Sequence, residues 1–173
     1  MVGVITPTGI ERYFDASDII VSKTDLKGRI TYANQVFLKI AGYSEAEVVG
    51  QPHRIIRHPD MPRAIFKFLW DVVFEGREVF AYVKNMTKCG DHYWVFAHVT
   101  PSFDPNGGVA GFHSNRRVPK RSAIEAVDPL YADLLRIEAT YKNGKDGLSA
   151  SFRHLQDVVK SRGSSYEEFV LAL

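Results

Sequence analysis

The chain has one cysteine, Cys89, in 173 residues. A single thiol excludes an internal disulfide framework and any zinc site built from cysteine pairs. No apolar run approaches the ~20 residues that span a bilayer, and no signal-peptide apolar region opens the chain, so the cytoplasm is the expected location. An excess of one charge is also missing. Lys and Arg number 22 against 20 Asp and Glu, and a net charge of +2 is too weak to argue for nucleic acid or an anionic membrane. There is no nucleophile elbow, phosphate loop or metal-ligand spacing, and no enzymatic activity is expected. Repeats and low-complexity tracts are absent too. Apolar residues make up 45%, enough for one domain with a real core and an appended helical piece.

Against this ordinary background one stretch stands apart. Gln51 to Pro62 reads QPHRIIRHPDMP. It gathers His53, His58, Arg54, Arg57, Asp60 and three prolines around Ile55 and Ile56. It is no core strand, and its prolines forbid an uninterrupted helix. Stiff polar backbone between apolar elements is costly unless its groups bind something. A small-molecule cofactor with a charged or polar group is the expected occupant.

The flanking pattern defines the domain. Residues 1–17 read as a loose arm, with a short helix at Ile10–Phe14. Asp18–Thr24 and Arg29–Ala33 read as a hairpin around the Asp25–Gly28 turn. Asn34 is placed as a helix N-cap for Gln35–Ala41, with Gly42 as the stop. Ser44 opens a second short helix with Glu47 completing a capping box. In Met61–Glu75, Ile65, Phe66, Leu69, Val72 and Val73 recur at helical spacing. Glu78–Thr87, His92–Phe103 and Val109–Val118 are predicted strands joined by hairpin-like turns. Residues 18–119 are therefore expected to form an α+β domain, an antiparallel sheet with helices grouped on one face. Residues 120–173 read as a helical extension. It comprises Ser122–Lys142 with a break or kink at Pro129, a linker at Asn143–Gly147, and two pieces, Leu148–Lys160 and Tyr166–Leu173, around Gly163.

The element order resembles a PAS sensor domain. The motifs TDLKGRITYAN, GQPH, RHPDMP, KN..K.GDHYWV and the late Gly111-Phe112 are similar to the flavin-binding PAS domains of bacterial aerotaxis receptors, over about Thr24 to Pro119. RHPDMP followed by GDHYWV carries most of the specificity. The resemblance implies a five-stranded sheet of order 2-1-5-4-3, with FAD between the sheet and the short helices. The tail departs from those receptors. It has no transmembrane segment, no kinase core and no long heptad helix, and its SYEEFVLAL ending looks like that of small stand-alone PAS proteins.

Within this resemblance the candidate cofactor-binding residues are Asn34, His53, Arg57, His58, Asp60, Phe66, Trp70, Asn85, Tyr93 and Val95. The amides of Asn34 and Asn85 each offer a donor and an acceptor, which match the imide edge of an isoalloxazine ring. For Asn34 a plain capping role competes equally. Asn85 occupies the strand position that resembles the flavin-contacting Asn of light-oxygen-voltage photoreceptors. Arg57, with its donor fork, and His53 are candidates for a pyrophosphate. His58 and Asp60 would shape the wall; alternatively Asp60 pairs Arg57 and caps the helix at Pro62. Phe66 reads first as core, while Trp70 falls off the apolar stripe and could stack on a ring. Along His92–Val99, Tyr93, Val95, Ala97 and Val99 are assigned to the pocket. His92, Trp94, Phe96 and His98 form an outer face too aromatic to be left in water. The N-terminal arm, a C-terminal helix or a second subunit should cover it, and a homodimer is expected. Cys89 lies in a turn, not in PHRIIRH, which argues against a light-driven cysteinyl adduct.

Three functions compete. The first is an FAD-binding redox or oxygen sensor module for signal transduction, with an unidentified downstream partner. The second is a heme-binding gas sensor ligated by His58, His92, His98 or His113. The third is a cofactor-free PAS module for interaction or dimerisation.

Overall fold

A computed structural model describes residues 5–162 and 165–173. Residues 1–4 of the predicted arm, and the predicted break at Gly163, lie outside the described residues. Five strands, β1 (Ile20–Thr24), β2 (Ile30–Ala33), β3 (Val79–Met86), β4 (His92–Phe103) and β5 (Val109–Arg117), form one sheet. Its order is β2-β1-β5-β4-β3 and every pairing is antiparallel. Helices α1 (Gln35–Ala41), α2 (Glu45–Val48) and α3 (Arg63–Phe74) connect β2 to β3, with a 3-10 turn at His53–Ile56 between α2 and α3. The α+β architecture and its strand order agree with the sequence reading.

Local chemistry sets the helix ends. Asn34 accepts the Phe37 amide at 2.9 Å, and Gly42 closes α1 at φ 74°. Ser44 and Glu47 make the reciprocal capping box of α2. The predicted helix at Ile10–Phe14 does not form. Instead the arm is extended: Glu11 pairs with His92, Thr8 donates its amide to the Gly90 carbonyl at 3.0 Å, and Asp91 accepts from Arg12 at 2.5 Å. The start of β4 offers unpaired backbone groups, and they outweigh the weak propensity of so short a helix.

The tail wraps the domain. Of the break or kink expected at Pro129, the break does not occur: helix α4 (Arg121–Thr140) is continuous through it. Helix α5 (Gly144–Ser161) begins inside the predicted linker, with Asn143 as its N-cap. Helix α6 (Tyr166–Leu171) carries a second capping box. Strand alternation puts Lys84 and Trp94, a cross-strand pair, on the outer face. There Tyr131 of α4 packs 6.2 Å from Trp94, ring to ring, and donates its hydroxyl to the Tyr82 carbonyl at 2.7 Å. Trp94 is 5% exposed. The chain's own helix thus covers Trp94, one of the two outer-face residues, with Phe96, on which the homodimer expectation rests.

One joint binds tail to core. Pro62 precedes α3 and its side chain caps nothing. Asp60 does not cap the helix either. Buried Glu138, near the end of α4, accepts the Ala64 amide at 3.1 Å, Arg63 Nε at 2.8 Å and Ser151 Oγ at 3.1 Å. One carboxylate therefore ties α3, α4 and α5 together, and its negative charge sits at the positive end of α3. Glu138→Ala strands a buried amide donor and is expected to lower the unfolding free energy by about 2 kcal/mol. Urea titration measures it; a midpoint equal to wild type would mean that this joint contributes nothing.

Candidate functional site

The Gln51–Pro62 stretch crosses the inner face of the sheet and is fixed at both margins. At the β2 margin Ile30 donates its amide to the Gln51 carbonyl at 2.9 Å, and His53 donates to Gly28 at 2.9 Å. At the β3 margin Arg57 bridges Asn85 through the backbone, and the Lys84 amide donates to Met61 Sδ at 3.2 Å. Ile56 and Met61 are buried beneath it. The costly polar backbone is thereby satisfied.

Under this strap lies a cavity of about 390 Å³. Its size falls at the lower end of small-molecule sites, about 300–1,000 Å³. Phe66, Leu69 and Trp70 of α3 form one wall, and Val83, Ala97, Val99 and Phe112 of the sheet form the apolar floor. Gly28, at φ 71°, closes the turn against Trp70, whose ring would lie 3.5 Å from a Cβ there. Trp70 meets Phe112 edge-on at 5.2 Å. Lys27, Arg54 and Arg57 are the cations of the strap side. Arg57 stacks over Phe66 at 4.5 Å and donates Nη2 to the Met61 carbonyl at 2.8 Å, not to Asp60.

The polar end of the cavity is built from three strands. Ser22 of β1, Arg116 of β5 and Asn85 of β3 all face inward. Arg116 Nη2 donates to Ser22 Oγ, and that hydroxyl lies 3.0 Å from His53 Nε2. Burial, and then the facing Arg116, push the His53 imidazole down to about 3, so the ring is neutral near pH 7. A neutral ring offers a pyrophosphate one N–H donor but no positive charge. Burial lowers Arg116 to about 10, which still leaves it charged. Asn85 Nδ2, Thr24 Oγ1, and Arg116 Nε and Nη1 are buried without a hydrogen-bond partner. Buried orphan donors are rare. Here they flank a largely apolar slot, and this arrangement fits a flat heteroaromatic ring with a polar edge.

The ten expected site residues divide into two groups. His53, Arg57, Phe66, Trp70 and Asn85 line the cavity. Asn34, His58, Asp60, Tyr93 and Val95 do not. The Asn34 amide is spent on Val21, Phe37 and Ile19. His58 accepts the Asp60 amide at 3.1 Å and packs against His92, while Asp60 pairs Lys84 at 2.9 Å on the outer side of β3. These two residues fix the end of the strap. Tyr93 and Val95 lie on the expected face and are fully buried behind the cavity, and the Tyr93 hydroxyl, like Asn85 Nδ2, has no hydrogen-bond partner. The sequence reading missed Ser22, Thr24 and Arg116. Phe112, Ser114 and Arg116 alternate on one face of β5, and the apolar Phe112 marks that face as inward. None of His58, His92, His98 and His113, the proposed heme ligands, lines the cavity.

A family model described as the PAS fold matches residues 30–115. Residues 30–115 are a PAS domain. The aerotaxis receptor of Escherichia coli (strain K12) is 43% identical to the chain over 115 residues, 66% of this chain and 22% of that protein. The nitrogen fixation regulatory protein of Klebsiella pneumoniae is 27% identical over 103 residues, 60% of this chain and 21% of that protein. The light-state structure of the blue-light photoreceptor aureochrome 1 LOV domain is similar at a TM-score of 0.54 and 23% identity, over 70% of this chain and 91% of that one. The chain spans about a fifth of the length of these two curated relatives. This PAS domain resembles that of the aerotaxis receptor, and among the described residues no helix is long and apolar enough to cross a membrane.

The histidines of the PAS domain give it a pH dependence. His53 is depressed to about 3 and His58 to about 4, both chiefly by burial. Below the ordinary value of about 6.5 the unfolded chain takes up protons that the folded chain refuses, so stability falls as pH falls. The loss begins near pH 6.5 and continues to the folded values, at most about 1.4 kcal/mol per pH unit for each group. Carboxylates contribute mainly below about pH 4, so urea midpoints at pH 7 and pH 5 isolate the histidines. The midpoint should be lower at pH 5, and equal midpoints would contradict the depressed His53 and His58.

Proposed function

We propose that this PAS domain is a cytoplasmic flavin sensor that binds FAD non-covalently and converts redox state or oxygen into a signal. The observation that carries the reading is the apolar slot ending in the orphaned donors of Asn85 and Arg116. Similarity to an aerotaxis receptor supports a sensory role rather than catalysis. Bound flavin would supply a reversible two-electron centre whose charge and hydrogen bonding change with redox state.

The chain's own residues would divide the work. Phe66, Leu69 and Trp70 would cover one ring face, with the sheet floor under the other. Asn85 would pair the polar edge. Arg57, with Arg54 and Lys27, would take the phosphates where the slot opens. FAD is favoured over FMN because three cations, Lys27, Arg54 and Arg57, line the cavity, more than a single phosphate needs. Output would pass from α3, which walls the cavity, through Glu138 to α4 and α5.

The chromophore released from purified protein should chromatograph as FAD; FMN or heme as the sole species would refute the assignment. Arg57→Ala removes a charge-assisted hydrogen-bond partner worth about 1.5–3 kcal/mol. It and Asn85→Ala should each lose most of the flavin that Cys89→Ala retains, and equal retention in all three would refute the site. Hydrogen exchange of oxidised and reduced protein should differ in α4 and α5; identical protection there would remove the tail as transmitter.

A further inference from the structure

Arg116 is a buried cation without an acid. It is 2% exposed. Its Nη2 donates to the neutral Ser22 hydroxyl, and its guanidinium lies over the Phe37 ring at 5.2 Å. Nε and Nη1 donate to nothing. No Asp or Glu is among the residues lining the cavity, whereas Lys27, Arg54 and Arg57 add further positive charge. The nearby titratable groups supply no anion. His53 is neutral, and burial raises Tyr93 to about 12, so its phenol keeps its proton. A protein does not gain stability by burying an uncompensated guanidinium. The arrangement becomes favourable once negative charge enters the cavity, because attraction is strong where water is excluded.

We propose that Arg116 reads the charge of the ligand in this cavity, so that reduced flavin is held more tightly than oxidised flavin. The proposal rests on the flavin reading above. Flavin reduced by two electrons from an external donor, with uptake of one proton, carries one negative charge that the oxidised form lacks. Arg116 would oppose that charge with its two unpartnered nitrogens, Nε and Nη1, whereas a neutral ring would offer them only a carbonyl. Charge beside the ring is a recognised lever on flavin electronics. By linkage, tighter binding of the reduced form raises the midpoint potential, and a tenfold preference corresponds to about 30 mV for a two-electron couple. Arg116 would thus set the redox level at which the module switches, and it is a positioning and tuning residue separate from the phosphate contacts at Arg57.

The test uses the full chain stripped of chromophore, as wild type, Arg116→Met and Arg116→Lys. Each is titrated anaerobically with oxidised FAD and with dithionite-reduced FAD. Wild type should bind the reduced form at least tenfold more tightly. Arg116→Met should bring the two affinities within about twofold, and Arg116→Lys should keep part of the preference. A second readout needs no flavin. Stripped Arg116→Met should melt at or above the wild-type temperature, because it removes an unpaired buried charge. Wild type binding both forms equally, or an unchanged preference in Arg116→Met, overturns this inference and leaves the flavin reading standing. Arg116→Met that melts well below wild type, or does not fold, makes Arg116 structural and overturns it as well. Wild type that binds neither form refutes the flavin reading, and this inference with it.

Discussion

The strap from Gln51 to Pro62 holds the inner face of the sheet open because it is pinned at both margins. Backbone bonds to Gly28 and Ile30 fix one end, and the bridge between Arg57 and Asn85 fixes the other. Its prolines keep it from coiling down into the core. A helix in its place would bury its own apolar stripe and fill the slot. With the strap spanning the sheet, Ile56 and Met61 are buried beneath it, and a cavity lined by Ile56 is left between the strap and α3. The polar residues that make this stretch unusual serve two ends. Arg54 and Arg57 line the cavity, while His58 and Asp60 anchor the strap against His92 and Lys84 on the far side of β3.

What the cavity can hold follows from an imbalance. Its walls are apolar, its cations are unmatched, and four of the buried donor atoms around it have no partner. An empty apolar slot would be tolerable, and so would a satisfied polar network; buried, unpaired donors are what a ligand must explain. The same imbalance relates function to stability. If Arg116 acts as proposed, it would cost the free protein stability that a negatively charged ligand offsets, a local conflict of the kind expected at functional sites.

Much of this was legible in the chain. The strands, the caps of α1 and α2 and the unusual strap are written in local patterns of alternation, Asn and Ser placement, and proline. Among the ten expected site residues, those carried by strap and helix position, such as Arg57 and Trp70, reach the cavity. Asn34 does not, because capping consumes its whole amide. Tyr93 and Val95 have the right parity, but parity does not say how far along a strand a cavity extends. Arg116 and Glu138 were not visible for one shared reason. Each is a charged residue whose partner, or lack of one, is decided by elements far away in sequence. Arg116 stands beside Arg117, and only strand pairing decides which of the two turns inward. Glu138 reads as surface until α3 and α5 close on it.

The most direct measurement is a crystal structure of the protein purified with its chromophore. The account predicts a flat ring between Trp70 and the sheet floor, with its polar edge within hydrogen-bond distance of Asn85 Nδ2 and the free donors of Arg116, and phosphates at Arg57. A ring seated elsewhere, or a filled cavity in which Arg116 Nε and Nη1 still have no partner, would contradict it.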